Sequence, residues 1–149
     1  MPPRTRRLAC KCSPQRGIPP QVPSLIGTML TLRHLLLYSN QLVDLPTSLC
    51  LITGLEVLDV HKNMITVLPL DMGKLTALKK LDISENKIIE LPISFCELSD
   101  EITLSCGRNP LEKPGIEQAR QGIGVIRRYF GWSKKDMVDS TEASYATFG

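Results

Sequence analysis

The hydrophobic residues of this chain recur with a period of 23 residues. Three consecutive units, residues 32–54, 55–77 and 78–100, place apolar side chains at positions 1, 4 and 6 of the unit. Positions 4 and 6 alternate with a period of two, which is typical of a short β-strand with one buried face. The residues at these positions are Leu32, Leu35 and Leu37, then Leu55, Leu58 and Val60, then Leu78, Leu81 and Ile83.

The second part of each unit carries an asparagine at position 9 and a Leu-Pro pair at positions 14 and 15. The chain must turn after the strand, which leaves inward-pointing backbone groups in need of hydrogen-bond partners. An asparagine amide offers one acceptor and two donors for them. Proline holds the return leg extended. The predicted structural ladder of asparagines consists of Asn40, Asn63, Asn86 and, in a weaker fourth unit, Asn109.

A single unit buries too little apolar surface to fold alone, so the units must stack. This is the L-x-x-L-x-L-x-x-N-x-L pattern of a leucine-rich repeat. We therefore predict an α/β fold: a solenoid with a short parallel sheet on its concave face, whose strands lie roughly 4.8 Å apart.

The units become irregular at both ends of the array. Residues 22–31 match the second half of a unit and residues 101–114 match a degenerate fourth one, so the repeats extend over residues 22–114. Residues 1–21 are predicted to be a basic, Pro-rich irregular leader in which Ala9, Cys12 and Gly17 occupy the expected Leu and Asn positions. Helical spacing of apolar residues after Pro114 predicts a capping helix over residues 115–132, and residues 133–149 are predicted to be a flexible tail.

Composition and charge restrict the function of the chain. Residues 1–43 contain six Lys or Arg and no acid, whereas the remainder contains 12 Lys or Arg and 15 Asp or Glu, so the repeats form no basic stripe and no specific nucleic-acid binding is predicted. The longest uncharged run, residues 17–32, is interrupted by three prolines, so no membrane span is predicted. The five cysteines and the lack of an Asn-x-Ser/Thr sequence favour a reducing, cytoplasmic location.

The repeat and the closing segment NPLEKPGIEQARQGIGVIRRYFGWSKK resemble those of intracellular Ras-group leucine-rich-repeat proteins, which include plant Ras-group-related proteins and animal Ras-pathway scaffolds. The resemblance covers residues 22 to about 135. It implies a cytoplasmic scaffold in signal transduction that binds a small GTPase or another signalling protein on its concave sheet. We expect the chain itself to be a monomer. This chain has three to four units, fewer than such scaffolds usually have. The alternative hypothesis is a truncated or regulatory fragment of a larger scaffold that has no binding activity of its own.

Positions 3, 5 and 7 of each unit flank the buried strand residues, so their side chains should lie on the concave face. An apolar cluster of Leu36, Tyr38 and Val57 surrounded by charges suits a protein partner. The candidate protein-binding residues are His34, Leu36, Tyr38, Val57, Asp59, His61, Lys80, Asp82 and Ser84.

Catalysis is not predicted, although Asp59, His61 and Asp82 should be close together on adjacent strands. The sequence contains no nucleophile elbow, phosphate-binding loop or metal-spaced cluster to accompany them. Cys10 and Cys12 are too isolated for a zinc site, which needs four ligands. We therefore predict no catalytic residue, no cofactor and no metal.

Overall fold

In a computed structural model, which describes residues 6–9 and 20–132, the chain forms a five-stranded parallel sheet with its strands in sequence order. Leu35, Leu58 and Leu81 are in register on neighbouring strands, and all three are fully buried. The sheet confirms the predicted α/β solenoid. The strands are β1 (Arg7–Ala9), β2 (His34–Leu36), β3 (Val57–Asp59), β4 (Lys80–Asp82) and β5 (Thr103–Ser105).

The return leg of each unit contains a short 3₁₀ helix. Pro23, Pro46 and Pro92 directly precede three of these helices in extended backbone. Pro69 lies further upstream of the remaining helix, which begins at Met72. Short 3₁₀ segments suit a 23-residue unit, because few residues remain after the strand and its turn. The 3₁₀ helices are Ser24–Thr28, Thr47–Leu51, Met72–Lys74 and Ile93–Glu97.

One continuous hydrophobic core lies between the sheet and the 3₁₀ helices. Leu49, Met72 and Phe95 project from successive return legs and are fully buried. Buried apolar residues of all the units belong to this one cluster, so no unit has a core of its own.

The N-terminal boundary differs from the sequence prediction. An irregular leader was expected over residues 1–21, but Arg7–Ala9 forms strand β1, in which Leu8 pairs with Leu35 of β2. These two leucines are 27 residues apart (35 − 8), four more than the repeat period, so a fixed-period alignment placed the strand too late. The prediction is therefore wrong for residues 7–9. Residues 1–5 and 10–19 lie outside the described residues.

The C-terminal cap is two short helices rather than the single helix predicted over residues 115–132. Helix α1 (Ile116–Ala119) and helix α2 (Ile123–Tyr129) are separated at Gly122, whose φ of 96° lies in the left-handed region. Glycine enters this region without steric cost, so the chain breaks here. The predicted tail over residues 133–149 lies outside the described residues.

Helix α2 is hydrogen-bonded to the last complete repeat through the side chain of Arg127. Arg127 donates hydrogen bonds to the carbonyl oxygens of Cys96 (2.8 Å) and Leu98 (2.7 Å) and forms an ion pair with Asp100. Ile123 and Ile126 of the same helix are buried in the core. The cap therefore closes this end of the array in two ways. It buries apolar side chains in the core, and Arg127 provides hydrogen-bond donors for carbonyl oxygens of the last complete repeat.

The asparagines at position 9 join each repeat to the one before it. The Asn63 amide donates to the carbonyl oxygens of Leu37 (3.0 Å) and Val60 (2.8 Å), and its oxygen accepts from the Leu42 N–H (3.1 Å). Leu37 and Leu42 belong to the preceding unit. Asn86 and Asn109 make the equivalent bonds, and all three asparagines are buried, whereas Asn40 is half-buried.

We expect Asn86→Asp to lower the free energy of unfolding by about 2–4 kcal/mol, because the change removes the amide donor from two buried carbonyls and buries a charge. Urea unfolding followed by circular dichroism measures this loss. Asn40→Asp, at the half-exposed end of the ladder, serves as the control and should cost less. Equal losses at the two positions would contradict a role for burial.

The return legs approach each other closely at position 19. This position holds Gly27, Cys50, Gly73 and Cys96 in the four successive units. A Cβ atom on Gly73 would lie 2.0 Å from the carbonyl oxygen of Ser94, and one on Gly27 would lie 2.6 Å from that of Ser48. Both neighbours are backbone atoms of the next unit, so they cannot move aside without disturbing the stack.

We expect Gly73→Ala to destabilise the fold by about 1–3 kcal/mol through this overpacking. Gly124→Ala is the matched control, since a Cβ on Gly124 in helix α2 meets nothing within 4 Å. The control should stabilise by about 0.5 kcal/mol, because alanine has the higher helix propensity. Thermal unfolding of both variants tests the pair, and a neutral Gly73→Ala would contradict the close approach.

Candidate protein-interaction site on the concave face

The nine candidate residues lie in three rows across the open face of the sheet, which we call the concave face. His34, Val57 and Lys80 are in register in the first row. Leu36, Asp59 and Asp82 are in register in the second. Tyr38, His61 and Ser84 form the third row, just beyond the strands. The Ser39 N–H donates to the carbonyl oxygen of His61, and the Lys62 N–H donates to the carbonyl oxygen of Ser84. The structure thus places all nine side-chain positions on adjacent segments of one sheet.

One end of the concave face is apolar. Leu36 and Val57 are half-buried, and Tyr38 is 41% exposed. The Tyr38 ring is stacked on the His61 imidazole, with 5.1 Å between ring centroids and an interplanar angle of 12°. An exposed aromatic ring held in one orientation offers contact area to a partner at little entropic cost.

The centre of the face contains two carboxylates and an imidazole. Asp59 Oδ1 lies 2.5 Å from His61 Nδ1, and Asp82 Oδ2 lies 4.0 Å from the same nitrogen. Asp82 Oδ1 accepts hydrogen bonds from both the N–H (3.0 Å) and the hydroxyl (2.6 Å) of Ser84. The Ser84 hydroxyl therefore donates to a carboxylate and not to the imidazole, so these residues do not form a Ser-His-Asp triad.

The rim of the face follows at position 8 of each unit. Ser39, Lys62, Glu85 and Arg108 all have φ between 53° and 55°, in the left-handed region. Glu85 and Arg108 form an ion pair of 3.4 Å at the surface, where such pairs contribute little stability. This conformation was not predicted from the sequence, because none of the four residues is glycine. The required turn between strand and asparagine was the one signal that could have indicated it.

Comparisons with known proteins agree with this geometry. The family model described as Leucine Rich Repeat matches residues 77–98. The structure of a leucine-rich-repeat protein of Leptospira interrogans is 32% identical over 62% of this chain and 23% of its own, with a TM-score of 0.53. The chain is a leucine-rich-repeat solenoid.

Two plant ectodomains are also similar. The ectodomain of the Arabidopsis thaliana receptor kinase GASSHO1/SCHENGEN3, in complex with CASPARIAN STRIP INTEGRITY FACTOR 2, is 33% identical over 61% of this chain and 11% of its own, with a TM-score of 0.56. The BIR2 ectodomain from the same organism is 28% identical over 61% of this chain and 50% of its own, with a TM-score of 0.54. The leucine-rich-repeat chain thus spans half or less of each of these structures. No curated protein sequence matches it.

The described part of this leucine-rich-repeat chain has no helix with the length and apolar character needed to span a membrane. Cys50, Cys96 and Cys106 are free thiols buried in the solenoid. Burial, with a smaller contribution from the Asp71 carboxylate, raises the pKa of the Cys50 thiol from 9.0 to about 11. Burial also raises the pKa of Cys96 and of Cys106. These thiols therefore act as small apolar side chains and not as nucleophiles.

We expect the three buried thiols to react with a disulfide reagent only as the protein unfolds, in a variant in which Cys10 and Cys12 are replaced by serine. The same burial makes the stability depend on pH. Above pH 9 the Cys50 thiol ionises in the unfolded chain but remains neutral in the folded one. The free energy of unfolding should therefore fall as the pH rises from 9 towards about 11. Absorbance of the released thiolate measures the reaction, with the urea-unfolded variant as control. Equal rates in folded and unfolded samples would contradict the burial.

Proposed function

We propose that this leucine-rich-repeat chain is an intracellular protein-interaction module that binds a signalling protein on its concave face. Leucine-rich-repeat domains generally mediate protein–protein interaction, and their fold is typically non-enzymatic. The observation that carries the proposal is the composition of the face. The apolar Leu36, Tyr38 and Val57 adjoin the polar group of Asp59, His61 and Asp82, while the repeated leucines are buried in the core.

An apolar patch beside charged groups favours a partner with a complementary pattern. The exposed Tyr38 ring would provide the anchor, because stable interfaces are dominated by a few buried aromatic contacts. The two carboxylates of the face would favour a basic side chain of the partner beside that anchor. The complex of the GASSHO1/SCHENGEN3 ectodomain supports the general role, since a similar repeat array there binds another molecule.

A cytoplasmic scaffold of signal transduction is our proposal for the setting. Its support is the resemblance of the repeat and closing segment to Ras-group proteins, together with three buried cysteines that form no disulfide. A small GTPase is one candidate partner under this proposal. The alternative, a regulatory fragment of a larger scaffold, differs in one respect: the chain by itself would bind no partner.

We expect Tyr38→Ala to weaken partner binding by at least about tenfold, because it truncates the proposed aromatic anchor. Tyr129→Ala is the matched control, since Tyr129 is 43% exposed, against 41% for Tyr38, but lies on helix α2 away from the sheet. Lys80→Glu on strand β4 and Lys87→Glu outside the strands form a second matched pair of exposed lysines.

The binding experiment has two stages. Proteins captured by the tagged full chain from cell extract are identified first, and their affinity for each purified variant is then measured by calorimetry. Loss of affinity in Tyr38→Ala and a gain in Lys80→Glu, which adds an acidic group beside the two carboxylates, support binding on the concave face when affinity is unchanged in both controls. Retained affinity in all four variants would contradict it, and absence of any partner would favour the fragment hypothesis.

A further inference from the structure

Asp59, His61 and Asp82 carry metal-ligating atoms that converge at the centre of the concave face. One donor atom from each residue lies within 4.8 Å of the other two. We propose that these three residues form a site for a divalent transition-metal ion such as Zn²⁺. An imidazole nitrogen and one oxygen from each carboxylate are suitable ligands for such an ion.

The charge at this position is not balanced by the rest of the described chain. Asp59 and Asp82 are in register on adjacent strands, so their carboxylates are close to each other. In residues 6–9 and 20–132, no lysine or arginine forms an ion pair with either carboxylate, whereas His61 lies within 4.0 Å of both. A dication would remove the repulsion between two like charges on a partly dehydrated surface.

Asp59 supplies an observation independent of the clustering. The residue is only 9% exposed, which is unusual for a carboxylate without a lysine or arginine partner. Both of its hydrogen bonds, to the backbone N–H and to the ring of His61, use Oδ1. The Oδ2 atom therefore accepts no hydrogen bond from the part of the chain that the structure describes. A carboxylate oxygen that accepts no hydrogen bond is available to coordinate an ion.

The neighbouring side chains hold the three ligands in place. Ser84 binds Oδ1 of Asp82 through two hydrogen bonds, which leaves Oδ2 directed towards His61 at 4.0 Å. The stacked Tyr38 ring limits the rotation of the imidazole. Partners of this kind orient ligands in known metal sites and raise affinity.

A tetrahedral zinc ion with these three ligands would keep one coordination position for water or for a side chain of a partner. The site is accessible, since the side chain of His61 is 26% exposed. The inference does not depend on the proposed partner binding, because the metal alone is sufficient to test it. Failure of one proposal would leave the other intact.

The test is a titration of the full chain with Zn²⁺ after treatment with a chelator, followed by the ¹H–¹⁵N NMR signals of the imidazole rings. The chain has only two histidines, so His34 on the neighbouring strand β2 serves as an internal control. We expect the His61 signals to move to a saturated position at one equivalent while those of His34 stay unchanged. Calorimetry of the same titration gives the affinity.

Two substitutions complete the experiment. Asp82→Asn preserves the shape of the side chain and should lower the Zn²⁺ affinity by about tenfold or more. Glu85→Gln, three residues further along, should change it by less than about twofold, because Glu85 pairs with Arg108 at the rim and is not a ligand. Circular dichroism confirms that both variants are folded.

Three results would overturn the proposal. His61 signals that do not respond to Zn²⁺ would show that the imidazolium itself neutralises the carboxylates. Binding with unchanged affinity in Asp82→Asn would place the ion elsewhere, for example on the cysteines. Signals of both histidines that move together without saturation would show only weak, nonspecific association.

Discussion

The structure depends on satisfying the backbone polar groups that point inwards after each strand. A buried N–H or C=O without a partner costs as much as several apolar contacts contribute, so every turn needs a compensating group. The buried asparagines supply it, and each of them does so for two repeats at once. Asn63, for example, binds carbonyls of its own repeat and of the preceding one. Stacking is therefore a requirement of local hydrogen bonding as well as of apolar burial.

This arrangement determines which side chains are available for recognition. Because neighbouring units are in register, residues 23 positions apart in the sequence lie side by side on the sheet, as Asp59 and Asp82 do. The concave face is thus assembled from short, separated segments, and no single segment contains a recognisable functional motif. The solenoid brings together an aromatic ring, an imidazole and two carboxylates that are dispersed in the sequence.

The repeats could be predicted because the inward positions are constrained by geometry, and the same leucines and asparagines therefore recur. The positions of Leu35, Leu58 and Leu81 predicted the strands. Their constant spacing predicted that neighbouring strands are parallel. The prediction was wrong where the period changes, since Leu8 lies four residues outside the regular spacing. It was also wrong at Gly122, because apolar periodicity alone does not show where a helix will break. The rows of the candidate site follow from the repeat alignment. The stacking of Tyr38 on His61 and the hydrogen bonds of Ser84 depend on side-chain rotamers, which the sequence pattern does not specify.

The left-handed residues at position 8 have a consequence for how such an array can diversify. A serine, two cations of different shape and a carboxylate adopt nearly the same φ in four successive units, so the fold and not the side chain sets the backbone there. Residues that are not β-branched, such as these four, meet a similar steric cost at this position. Exchange of one rim side chain for another is therefore nearly neutral for folding, while it changes the charge displayed beside the concave face. Each unit can in this way change the charge of its rim separately from its neighbours, without a compensating change in the core.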